Sequence, residues 1–398
     1  MRRLPVALWA AIVATVMLAG CGAGAQSSRV TGSGTSPAAA APSERAGSPR
    51  SVPRPATTSS PSATPGLLHG KYQALAIAFP SPGIGIAAIS GYAGQSTTVR
   101  SWIERTTDGG RHWVAGPPAL GQDQPAAQSG LAFVSAKQGW AYGPGLLFSR
   151  DGGVTWRAEH TPFPLVGPVA VAGTSTWVVG YGCARGDCPA VIYTAGRVGG
   201  ALLRLADQPA STGSVIAMQR PTTRVAWLLL AGPHGLRRLV TTSDAGRSWA
   251  ARSLPCPASE PAGQLSAVGP FSLWLVCEGT PQAQFVPGVL YRTVDGGRTW
   301  TQMAAEDSLG VHAVSDRVAW AVQDGPSASV IVRTTDGGRI WHTVLSRANP
   351  NTIVEALVPL APDGAEAVAL VVSTTGSRFV AYTTGDSGQT WQATTLPT

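Results

Sequence analysis

The sequence predicts an all-β fold, a seven-bladed β-propeller of four-stranded antiparallel blades, and three observations carry that prediction. An eight-residue box, Ser/Thr-x-Asp-x-Gly-x-x-Trp, occurs six times, as TTDGGRHW (106–113), SRDGGVTW (149–156), TSDAGRSW (242–249), TVDGGRTW (293–300), TTDGGRIW (334–341) and TGDSGQTW (384–391). Its acids are Asp108, Asp151, Asp244, Asp295, Asp336 and Asp386; the one double-length gap holds a degenerate copy, YTAGRVGGAL (193–202), with Arg197 for the acid, Gly199 retained and Leu202 for the Trp. The steps are then 43, 46, 47, 51, 41 and 50 residues, a period that short-stranded propeller blades show. An apolar residue also recurs ahead of each box, at Ile86, Trp140, Trp177, Trp227, Trp274, Trp320 and Val368, so that 11 of the 13 Trp occupy one of two repeated positions.

Before the repeats, the chain opens with Arg2 and Arg3, runs uncharged from Leu4 to Met17 and reaches Leu18-Ala19-Gly20-Cys21. This is the layout of a secretion signal over residues 1–20. The last four residues resemble the lipobox of bacterial lipoproteins. That resemblance implies cleavage before Cys21, acylation of its thiol with membrane-lipid chains such as palmitate, and anchoring at the outer face of the bacterial cell membrane. An ordinary signal peptide or a single membrane span is the competing reading, and the apolar run is short for a span. Two or three acyl chains suffice for stable anchoring. Residues 22–66 are almost wholly Ser, Pro, Ala, Thr and Gly with no aromatic residue. Such a segment cannot offset its chain entropy by burial, so 21–66 reads as the lipidated Cys and a disordered tether, and 67–398 as the propeller.

Charge argues against nucleic acid as a partner. The formal +8 divides into +5 on residues 1–66 and only +3 on residues 67–398, too mild a balance for a surface that tracks phosphates. After Cys21, Cys183 and Cys188 flank a four-residue loop, while Cys256 and Cys277 bracket twenty residues; export and an even count favour two disulfides paired by proximity. Zinc competes, but no His lies near either pair. No motif calls for a metal or a cofactor.

The second unit shows the strands most plainly: GLAFVS, GWAYG, GLLFS, the box, then TWRAEH. Four short β-favouring runs are separated by Gly, Pro and Asp. Consecutive apolar residues before each box, as in Val289-Leu290-Tyr291 and Val330-Ile331-Val332, imply strands covered on both faces. The box then has a structural task between the third and fourth strands. Its Asp accepts backbone N–H bonds, the hydroxyl two residues earlier adds a local bond, Gly supplies positive φ, and the Trp enters the gap between blades. The third unit keeps its hairpin through Gly199. Each blade is one continuous segment, so closure rests on the first blade packing against the seventh, unless the segment Leu67–Gln73 adds a strand to the seventh.

These boxes resemble the bacterial neuraminidase repeat, or Asp-box, over residues 70–398. That repeat occurs in sialidases, sortilin-type receptors, some glucanases and the photosystem II assembly factors. A box in nearly every blade, with strands such as Gly139-Trp140-Ala141 and Ala319-Trp320-Ala321, looks most like the seven-bladed assembly-factor group. The resemblance implies architecture and a non-enzymatic role, not photosynthesis. A sialidase would need three Arg, a Tyr nucleophile with its Glu, and an acid/base Asp. The only Arg-Leu-Pro opening is Arg3-Leu4-Pro5 in the signal, and Tyr193, Tyr291 and Tyr382 share one repeat position, which marks a packing row. Glu104 occupies that row in the first unit and is expected in a surface or edge salt bridge.

Arg105, Arg292 and Arg333 all stand three residues before a box acid. They form a candidate arc for an acidic ligand, or else cap carbonyls of neighbouring blades. In the assembly factors an Arg-rich surface is implicated in partner binding. An Arg185-Gly186-Asp187 triplet between Cys183 and Cys188 is a recognition loop or a simple staple. The expectation is therefore a membrane-anchored, extracytoplasmic propeller that binds a protein partner without catalysis. An exo-glycosidase and a cell-wall glycan-binding module are the alternatives.

Overall fold

Short strands separated by glycine-rich and polar turns can only pair with their sequence neighbours, and each box hairpin returns the chain beside the strand it has just left. In a computed structural model of the chain, residues 72–397 are described except 93–98, 116–129, 144, 184–188, 210–212, 233–235, 258–261, 280–287, 306, 325–328, 347–351, 362 and 374–378. Among the described residues, 28 strands form seven four-stranded antiparallel sheets, each from consecutive strands. The protein is a seven-bladed β-propeller. In blade five, for example, β17 (Ala262–Ala267), β18 (Leu273–Glu278), β19 (Gly288–Thr293) and β20 (Thr301–Gln302) lie in that order, with the box between β19 and β20.

The first strand of every blade lies against the first strands of its two neighbours, so these seven strands ring the axis. Six carry a register slip near their start, and five of these insert a single unpaired residue there: Gln73, Ile216, Gly263, Leu309 and Glu355. Bulges bend strands where a sheet must turn. At Gly263 the Glu278 carboxylate lies against the strand: a Cβ there would stand 1.9 Å from Oε1, so that side chain would have to swing aside.

The core is a circle of clusters between blades rather than one central mass. Ile77, Ala87 and Ile89 of blade one pack with Val358, Val368 and Leu370 of blade seven in one buried cluster. β1 (Tyr72–Ser81) pairs only with β2 (Ile84–Tyr92) of its own blade, and blade seven is β25 (Thr352–Pro359), β26 (Ala367–Ser373), β27 (Phe379–Thr384) and β28 (Gln392–Thr395). Among the described residues the ring thus closes by packing, with no strand exchanged. The signal, Cys21 and the tether lie outside the described residues, and no described helix is long and apolar enough to cross a membrane.

Candidate functional site

Each box uses its carboxylate locally. In blade five, Thr293 Oγ1 donates to Asp295 Oδ1 (2.8 Å) and accepts the Gly297 N–H (3.0 Å), while Asp295 accepts the N–H groups of Arg298 (2.9 Å) and Thr299 (3.0 Å). Asp108, Asp151, Asp244, Asp336 and Asp386 each accept the hydroxyl two residues earlier and an N–H four residues later. Gly297 takes a φ of 78° inside this turn, a conformation most side chains resist. In the third unit, where Arg197 replaces the acid, Gly199 takes 67° and β11 (Ala190–Ala195) still pairs with β12 (Leu202–Arg204).

Those bonds stabilise the charged form of the carboxylates. For Asp386 the Thr390 hydroxyl and N–H, then Thr384, lower the pKa to about 2; for Asp108, burial raises it, but bonds from His112 and Thr106 outweigh this and bring it to about 2. Groups so firmly ionised are poor general acids.

The two repeated sequence positions meet across each seam between blades. Trp177 faces Trp249 of the next blade (centroids 5.9 Å), Trp274 faces Trp341 (6.0 Å) and Trp320 faces Trp391 (6.1 Å). Ile86 lies against Gly153, and Val368 against Gly110 of blade one, closing the circle.

Arginines latch the same seams. Arg105 Nε donates to the Gly152 carbonyl of blade two (2.7 Å), Arg292 Nη1 to Gly337 of blade six (3.0 Å) and Arg333 Nε to Gly364 of blade seven (3.3 Å). Arg292 and Arg333 also lie over the Trp274 and Trp320 rings, at 5.0 and 5.4 Å. The three residues of the expected arc are therefore engaged with neighbouring carbonyls. Sequence reasoning missed Arg150, Arg220 and Arg252, which latch other seams through Val198, Ser175 and Gly296. No signal marked them, because each comes from a different position in its repeat.

Glu104 is a correction. It carries no exposed surface and stands on β3 (Val99–Thr106) opposite Ala87 and Ala115, so the expected surface position gives way to a buried one; the strand is paired along both edges. Tyr193, Tyr291 and Tyr382 all pack in seam clusters, Tyr193 against Phe163 at 4.8 Å. Cys256 and Cys277 form a disulfide, with Cα atoms 5.4 Å apart. Cys183 is disulfide-bonded, whereas Cys188 and the Arg-Gly-Asp triplet lie outside the described residues.

Where side chains do face solvent, one surface stands out. Strand-one-to-two turns and box hairpins share one face of the ring. There, a cleft of about 390 Å³ between blades five and six is lined by Arg292, Arg317, Arg339, Asp316 and Asp336. Arg317 and Arg339 are exposed. The box-side turns of the same two blades carry three exposed apolar side chains, Phe271 (58%), Val294 (61%) and Ile340 (57%). Toward the other end of the ring, burial raises the Glu278 carboxyl, with Arg237 partly opposing this, and the protein crowded around Glu355 thins its hydration and raises its carboxyl although the side chain itself is exposed. Glu355 is accessible although it lies on an innermost strand, which sets it at the central channel. No group of described residues could hold a metal ion.

Fold and surface together define a seven-bladed propeller with latched seams and a basic, partly apolar patch on its box face. No protein-family model matches the chain, and neither does any curated protein. Solved structures with a similar fold include YCF48 from Cyanidioschyzon merolae (TM-score 0.52, 16% identity, 77% of this chain and 94% of that one). They also include a GH74 xyloglucanase from Xanthomonas campestris (0.58, 15%, 83% and 55%) and the BP39L lectin from Burkholderia pseudomallei (0.52, 13%, 83% and 99%). At such identities the likeness is one of fold.

Proposed function

We propose that this chain is an exported propeller, anchored through an acylated Cys21, whose box face docks a protein partner without catalysing a reaction. One observation carries the reading: Phe271, Val294 and Ile340 stand exposed on the box-side turns of blades five and six, the two blades whose shared cleft is lined by Arg317 and Arg339. Exposed apolar residues bordered by arginine are the composition of an interface core and rim. The matching partner surface is acidic with an apolar centre.

Glycoside hydrolysis asks for two carboxyl groups flanking one bond, one of them protonated. In the cleft of blades five and six, Asp336 is committed to Thr334 and to the N–H groups of Arg339 and Ile340, which leaves Asp316 alone. The hydrolase reading keeps one foothold, the raised pKa values of Glu278 and Glu355. A lectin and a xyloglucanase among the similar folds keep sugar ligands in view.

Capture decides between these readings. The chain is incubated with solubilised membrane proteins and, separately, with wall polysaccharide. Protein capture that falls at least tenfold in an Arg317→Glu, Arg339→Glu variant supports docking, and unchanged capture contradicts the assigned surface. Polysaccharide retention in place of protein capture would replace this reading with glycan binding.

A further inference from the structure

The seven seams are equivalent by repeat, and six of them are latched by an arginine among the described residues. The donors come from four positions: three before the box acid (Arg105, Arg292, Arg333), one before it (Arg150), eight after it (Arg252), and the first turn of the following blade (Arg220). Four of these guanidiniums donate to the carbonyl of the residue just after the acid or its substitute, namely Gly152, Val198, Gly296 and Gly337.

At the closing seam, between blades seven and one, the same four positions hold Thr383, Gly385, Thr394 and Phe79. Phe79 follows the partner of Ile86 as Arg220 follows the partner of Trp227. None of them can supply a guanidinium. Thr394 Oγ1 donates instead to the Arg111 carbonyl (2.7 Å), and Phe79 turns to Trp113, with centroids 6.1 Å apart. Where the latch would lie, a cleft of about 470 Å³ opens, the larger of the two described on this face. Its walls include Gly109, whose carbonyl is the counterpart of the four that accept arginine, together with Asp108, Glu366, Thr383 and Gln392. Arg111 also lines it, but Arg111 Nη1 is turned to the Asp108 carbonyl (3.2 Å).

We propose that the closing seam is a receptor for an arginine side chain presented by a partner protein, which completes the seventh latch from outside. The inference rests on the reading of a protein partner and adds a second, separate contact to the basic patch on blades five and six. The seam offers a carbonyl positioned by the repeat and the Glu366 carboxylate, a set of acceptors that matches the planar fork of a guanidinium better than the point charge of an ammonium.

The test uses the full chain, with amide NMR signals followed during titration by Nα-acetyl-argininamide and by Nα-acetyl-lysinamide. The expected result is saturable shifts at Gly109 and Gly385 with the arginine probe and binding about tenfold weaker with lysine, the worth of one charge-assisted hydrogen bond. Glu366→Gln should weaken the arginine probe about tenfold. Thr383→Arg should abolish its binding by filling the seam from within, and should raise Tm by about 2 °C as an added latch. Absence of saturable shifts, equal binding of lysine, or undiminished binding to Thr383→Arg each overturns the proposal. If protein capture by the Arg317 and Arg339 patch persists while the probe fails, the seam is refuted and the docking reading stands.

Discussion

Replacing Trp320 by Ala removes the side chain in which the two sequence repeats meet. Trp320 is fully buried, its ring lies edge-on to Trp391 of the next blade at 6.1 Å and 85°, and the Arg333 guanidinium sits 5.4 Å from its centroid. Deleting a buried indole costs about 3–5 kcal/mol through lost transfer energy and the cavity left behind. Trp391 is half-buried and loses less on its own. Their edge-to-face contact is worth about 1 kcal/mol beyond burial, so a double-mutant cycle of Trp320→Ala and Trp391→Ala should show a coupling of about that size. Trp320 with Trp249, on different seams, should add to within about 0.5 kcal/mol. Urea denaturation followed by far-ultraviolet circular dichroism measures all three, provided the slope with denaturant stays constant. A coupling for Trp320 and Trp391 no larger than that control, or a Trp320→Ala cost below about 1 kcal/mol, would refute the idea that the repeats pin blade to blade.

Other outcomes follow from the same structure. Thr334 is fully buried and accepts the Gly338 N–H at 3.0 Å; Thr334→Ala should cost about 1–3 kcal/mol by orphaning that donor, whereas Thr334→Ser should be close to neutral in the same denaturation assay. His312 has its pKa lowered to about 4 by burial, so the unfolded chain takes up a proton near pH 6.5 that the folded chain refuses. Stability should therefore fall by about 3 kcal/mol between pH 6.5 and pH 4, a loss absent in His312→Gln. Below that, the depressed box carboxylates add a second loss: their contribution is complete above the unfolded value near pH 3.9 and disappears as pH drops toward about 2 for Asp108 and Asp386. Reducing-end release from xyloglucan and bacterial wall glycans should be no greater than that of a Glu278→Gln, Glu355→Gln variant; release that those substitutions abolish would establish a hydrolase.

The blades were legible because the box binds itself. Every bond of Asp295 is to residues within four positions, so spacing alone reveals the hairpin, and the gap filled by Arg197 could be recognised from Gly199. The strand-two row was legible for the opposite reason: one partner type, the box of the next blade, constrains it at every turn of the ring. Latching was not legible. Arg150, Arg220 and Arg252 do one task from three repeat positions, because a long guanidinium reaches a carbonyl from several starting points. Glu104 misled in the same way, since a charge in a sequence row says nothing of the sheet laid over it. The docking patch of Phe271, Val294, Ile340, Arg317 and Arg339 is assembled from two blades and two kinds of turn, with no periodic signature to expose it.

The central claim, a latched ring that docks a protein through its box face, is met most directly by photo-crosslinking in living cells from a reactive residue placed at Arg339, with Leu203, exposed on the fourth strand of blade three, as the control position. The account predicts a discrete protein adduct from Arg339 that is absent from Leu203 and lost when Arg317 becomes Glu. Equal adducts from both positions, or none from Arg339 while glycan is retained, would contradict it.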